Sequence, residues 1–143
     1  MNKKLWLGTI VVFLGMSVIS FLVHGVILAA TYASESVKGF MRPEQEMMGM
    51  IWIYYVVYLI VSFFFTLVFS KGYEGKGIGE GIRFGFYVGV MMATPMAYAS
   101  YAMYPMPYSL ALQWFMYTVI QYLILGILVA AVYGKKQGST VQS

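Results

Sequence analysis

Four long apolar blocks separated by short polar stretches set the pattern of the chain. Leu5–Ala33, Met47–Ser70 and Ser109–Gly134 contain no charged residue, and Ile78–Tyr101 contains only Glu80 and Arg83, both in its first two turns. An α-helix rises about 1.5 Å per residue, so about 20 residues cross a hydrocarbon core about 30 Å thick. Each block is long enough. The pattern predicts an all-α fold, a four-helix transmembrane bundle with helices at about 5–33, 47–70, 78–101 and 109–134. One integral membrane domain then takes in residues 1–143. The first block follows Asn2-Lys3-Lys4, as a signal peptide would, but a signal core has only about 7–15 apolar residues. The block is roughly twice that, and is read as a retained helix.

Composition supports the same solvent. Of 143 residues, 61% are apolar and 10% charged, against about 25% charged in soluble domains. No cysteine is present, which excludes disulfides, thiolate metal sites and catalytic thiols. The net charge of +4 is explained by placement. Lys3 and Lys4, then Lys71, Lys76 and Arg83, then Lys135 and Lys136 fall on one side of a four-span chain, and only Lys38 and Arg42 fall on the other. Seven against two is a positive-inside bias. It predicts an N-in/C-in orientation with both termini cytoplasmic, argues against dual-topology insertion, and removes the case for nucleic acid as a partner. Trp6 at one interface and Tyr98, Tyr101, Tyr104, Tyr108 and Trp114 at the other suit aromatic belts.

The glycine-dense stretch GIGEGIRFGFYVGV, Gly77–Val90, has two readings. As a phosphate loop it fails on spacing: the third glycine of G-x-G-x-x-G is missing, Lys76 is followed by Gly77, and no strand precedes it. Counted by four, however, Gly77, Gly81, Gly85, Gly89, Ala93 and Ala97 form a ladder of small residues. Residues four apart share a helix face. In lipid such a face lets a second backbone approach closely. Gly126, Ala130 and Gly134 repeat the spacing in the fourth block, and the first block adds Gly8 and Gly15. The ladder is therefore read as a helix-packing surface for a partner helix in the same chain or in another.

Polar residues inside the blocks are the candidate functional groups, since they are costly in a membrane. The first block carries Ser17, Ser20, His24 and Thr31 on one stripe, the second Tyr55, Tyr58, Ser62 and Thr66, the fourth Gln113, Tyr117 and Gln121. They bond across helices in one reading. In the other, Ser17, Ser20, His24, Tyr58, Ser62, Tyr117 and Gln121 line a polar cavity. Glu80 suits the positive end of a helix dipole and Arg83 can snorkel to headgroups, so the pair is an interfacial anchor or, alternatively, a gate. Pro95 is expected to kink the third helix. Twelve methionines fill gaps between helices. A copper site at Met96, Met103 and Met106 is the alternative, since thioethers suit Cu(I). No metal or other cofactor is expected. No catalytic set can be assembled: aspartate is absent, the glutamates lie at helix ends, and the single histidine has no acid at its depth.

Lys71–Val90, KGYEGKGIGEGIRFGFYVGV, and Leu125–Gly134, LGILVAAVYG, resemble the glycine-rich third and small-residue fourth helices of small uncharacterised four-helix bacterial integral membrane proteins. The resemblance implies a bacterial inner membrane and no particular activity. Small multidrug exporters need a glutamate midway in the first helix, where this chain has His24. Fluoride channels have balanced or paired topology, which the charge bias opposes. Two functions are expected. The first is a structural or accessory subunit that packs through the glycine face into a homo-oligomer or larger membrane complex, with the lipid bilayer around it. The second is a small transporter or channel for an ion or solute, with its cavity around His24.

Overall fold

The structure is a computed structural model and describes residues 2–134. Among these the chain is helical throughout, with no strand. The helix α1, Lys3–Ser20, starts where the Asn2 side chain accepts from the Lys4 amide at 3.1 Å, satisfying an N–H that the first turn leaves without a partner. It widens into a π-helical segment, Phe21–Ile27, closed by a bond from the Leu28 amide to the Val23 carbonyl. Two short helices, α2 (Ala29–Tyr32) and α3 (Glu35–Lys38), follow, then α4 (Glu44–Gly49) and the long α5 (Ile51–Gly72). After a glycine-containing turn comes α6 (Ile78–Thr94), a second π segment Pro95–Ala99, α7 (Ser100–Met103), and α8 (Tyr108–Tyr133).

Among the described residues, three helices are long and apolar enough to cross a membrane: Lys3–Ile27, Ile51–Gly72 and Tyr108–Tyr133. By length and composition the chain is a membrane protein. The third apolar block has a shorter regular helix, 17 residues, because Pro95 interrupts it. Proline has no amide hydrogen, and its ring crowds the carbonyl four residues earlier. The chain absorbs this by widening one turn rather than ending the helix. The first block also departs from one straight helix, and the segment before α5 is itself helical.

α1 and α8 run antiparallel. The Lys4 ammonium donates to the Tyr133 carbonyl at 2.9 Å, satisfying an end carbonyl of α8. At the other end Trp114, early in α8, meets Tyr32 of α2. α1 packs on both α5 and α8, and α6 lies along α8. The main core joins Val12, Met16, Phe65, Phe69, Tyr122, Leu125 and Val129, and Phe84 of α6 reaches it through ring contacts with Phe65 and Phe69 at 4.8 and 5.3 Å. A second core of Val37, Met106, Leu110 and Ala111 pins α3 to the start of α8. The first half of α5, Ile51–Ile60, is almost wholly exposed.

Candidate functional site

The seam between α6 and α8 is made of main chain. A Cβ on Gly81 would run into the Gly126 carbonyl oxygen and would stand 2.5 Å from the Ala130 Cβ. One on Gly85 would run into the Tyr122 carbonyl oxygen and would lie 3.1 Å from the Leu123 Cα. One on Gly89 would meet the Tyr122 Cβ at 3.0 Å, and one on Gly126 would strike the Gly81 carbonyl. The approach is reciprocal, glycine to glycine. Ala93 and Ala97 continue the stripe, both fully buried. Packing this close is available only where side chains are missing, and in lipid it supplies the dispersion contact that apolarity alone does not.

Gly77 of the ladder and Gly134 of the repeat in the fourth block stand outside the seam. Gly77 precedes α6 with φ +86° and ψ −151°, and nothing lies within 4 Å of a Cβ built there. Its role is conformational, since L side chains rarely adopt that backbone. Gly134 caps α8 at φ +69°. The contact runs from Gly81, and its partner is α8 of the same chain. Of the two partners left open for this face, a helix of the same chain occupies it from Gly81 to Gly89.

Glu80 is buried and closes the turn before α6. Its two carboxylate oxygens accept from the Glu74 amide at 2.6 Å and from the Lys76 amide at 2.9 Å. Both amides belong to a turn containing positive-φ Gly75 and Gly77. The carboxylate therefore anchors the connection between α5 and α6. Arg83 is exposed beside it. Glu74 pairs with the Lys76 ammonium, which holds the Glu74 carboxyl below the usual carboxylate range.

The polar stripe of the sequence is divided among separate partners. The Gln121 amide donates to the Ser20 hydroxyl at 3.0 Å and to the Met16 carbonyl at 3.4 Å, joining α8 to α1. Tyr58 of α5 reaches Ser20 as well. Ser17 donates to the Phe13 carbonyl of its own helix at 2.8 Å. Ser62 is fully buried, and Tyr117 is half-buried. Two clefts, of about 440 and 260 Å³, open elsewhere. The first lies between Lys76–Ile78 and Ala130–Gly134, the second beside Glu80 and Arg83. Neither is lined by the stripe.

His24 sits in the first π segment and bonds a different partner from Gln121. Its Nδ1 is 2.5 Å from the Tyr32 hydroxyl, which also accepts from Trp114 Nε1 at 2.9 Å. Indole N–H is only a donor. The Tyr32 hydroxyl oxygen therefore accepts from the indole N–H, and the same hydroxyl shares a hydrogen bond with the His24 ring, whose direction follows the imidazole tautomer. This relay ties the first π segment, α2 and α8 together. Removing the hydroxyl with Tyr32→Phe leaves the His24 nitrogen and the indole N–H unpaired. The expected loss is about 2 kcal/mol, seen as a lower thermal midpoint, and an unchanged midpoint would show that the relay contributes nothing.

The three methionines of the copper alternative occupy three environments. Met106 is buried among Val37, Leu110 and Ala111, Met96 accepts from the Thr118 hydroxyl at 3.6 Å, and Met103 is 74% exposed. Tyr32 and Tyr133 escaped sequence reasoning, because their neighbours lie on other helices at separations that no period marks. Comparison of the chain with protein-family models, with curated proteins and with solved structures gives no match.

Proposed function

We propose that the chain is a four-helix bundle of the bacterial inner membrane, with both termini cytoplasmic, serving as a structural or accessory subunit of a homo-oligomer or larger membrane complex. The fourth crossing is assigned to α6 with its continuation to Met103. The orientation rests on the Lys and Arg bias, of which Lys135 and Lys136 lie outside the described residues. No enzymatic step is assigned to it.

One observation carries this reading in preference to a transporter: the polar groups around His24 and Gln121, where the alternative places its cavity, bond to neighbouring groups. Gln121 holds Ser20 and Met16, Ser17 and Thr9 bond their own helix, and His24 serves Tyr32. Side chains used this way lock helices together and do not line a path. Because α8 fills the glycine face, contact with partner subunits is assigned to the lipid-exposed helix flanks.

The test is extraction from native membranes in mild detergent, followed by mass measurement of the intact particle. A mass well above the 16.1 kDa chain, after correction for detergent, is expected. A lone chain would contradict the subunit reading, and solute flux by that lone chain in liposomes would favour the small transporter.

A further inference from the structure

We infer that ordered water occupies the interior between α1, α5 and α8, held by the hydroxyls of Ser62, Thr66 and Tyr133. Ser62 and Thr66 are fully buried and Tyr133 is 7% exposed. None of the three hydroxyl oxygens has a hydrogen-bond partner among the described residues. Buried polar groups are hydrogen-bonded almost without exception, so three such hydroxyls need an explanation.

A local remedy exists and this chain uses it elsewhere. A serine or threonine in a helix can turn its hydroxyl onto a carbonyl three or four residues back. Thr9, Ser17, Ser70 and Thr94 do so, at 2.8, 2.8, 2.6 and 2.7 Å. Ser62 and Thr66 do not, although each stands in α5 with carbonyls available behind it. They lie one turn apart on one face.

Gly8 brings the third residue, Tyr133, alongside Thr66. A Cβ there would meet Thr66 Cγ2 at 2.7 Å and the Tyr133 ring carbon Cε2 at 3.6 Å. Thr66 and Tyr133 therefore flank one bare stretch of α1. Three hydroxyls supply donors and acceptors in the number a buried water uses. The ligand chemistry is neutral and protic. No carboxylate joins the group to offset the dehydration of a cation, and the nearby Lys4 ammonium is engaged with the Tyr133 carbonyl.

Two measurements on the full chain in detergent test this. Thr66→Val keeps the shape and removes one water ligand. Its thermal midpoint is expected to fall by several degrees, with Ser62→Ala in the same direction. A dry site gives the opposite sign, because deleting an unpaired buried hydroxyl stabilises. A rise, or no shift, therefore overturns the proposal. X-ray hydroxyl-radical labelling, which marks side chains beside bound water, is expected to modify Tyr133 more than the equally buried Tyr122, and less so in Thr66→Val. Equal labelling of the two tyrosines also overturns it. Neither readout depends on the oligomeric state, so failure here is separable from failure of the subunit reading.

Discussion

Gly85→Leu is expected to prevent α6 from seating on α8. The new side chain meets the Tyr122 carbonyl oxygen and the Leu123 Cα, and main chain cannot move aside by changing a rotamer. Overpacking a well-filled interior costs typically about 1–3 kcal/mol, and a clash with backbone falls at or beyond the upper end. A small protein has little to spare. The expected result is poor accumulation in the membrane and, for what is recovered, early unfolding on heating. Gly79→Ala is the control: nothing lies within 4 Å of a Cβ at that position, so it should be neutral, or slightly stabilising through the reduced freedom of the unfolded chain. If both substitutions behave alike, the seam is misplaced.

Glu80→Ala is the second large effect. Both carboxylate oxygens accept main-chain hydrogens from the turn before α6. Bonds to charged groups contribute about 1.5–3 kcal/mol each, and losing the acceptor leaves two amides without a partner. A loss of about 3 kcal/mol is expected. The turn should also become open to proteolysis after Lys76, the basic residue whose amide Glu80 holds. Glu80→Gln keeps one acceptor oxygen and should fall between the two. Wild-type resistance to trypsin in Glu80→Ala would remove the anchoring role.

The glycine ladder shows how much a sequence discloses in a membrane setting. Spacing by four marks Gly81, Gly85 and Gly89, because side-chain removal leaves a visible gap in an apolar run. The small residues Gly126 and Ala130 on the facing helix are visible for the same reason. Gly77 fits the same count and belongs to a different cause: a turn that needs positive φ also selects glycine, and spacing alone does not separate the two. Apolar length marks the long helices, but it does not locate their irregular turns. Pro95 signals a disturbance without saying that the helix will widen and continue, and nothing in FLVHGVI announces a π segment. The polar residues are legible as a stripe and illegible as partners. His24 and Gln121 can share a cavity on a helical wheel, yet Tyr32 takes one and Ser20 the other, because those pairings are decided by helix rotation and tilt. The burial of Thr66 and Tyr133 arises in the same way, where α5 and α8 close over Gly8.

The account rests on main-chain contact between α6 and α8 within one chain, and disulfide trapping measures it most directly. The protein has no cysteine of its own, so Gly89→Cys combined with Tyr122→Cys introduces the only thiols. A Cβ at position 89 lies 3.0 Å from that of Tyr122, close to the 3.5–4.5 Å usual in a disulfide and reached with a small adjustment. After mild oxidation in native membranes, the expected product is a single chain by mass whose two thiols resist maleimide until reduced. Covalent dimers, or two thiols that remain freely reactive, would contradict the seam within one chain and return the glycine face to another subunit or to lipid.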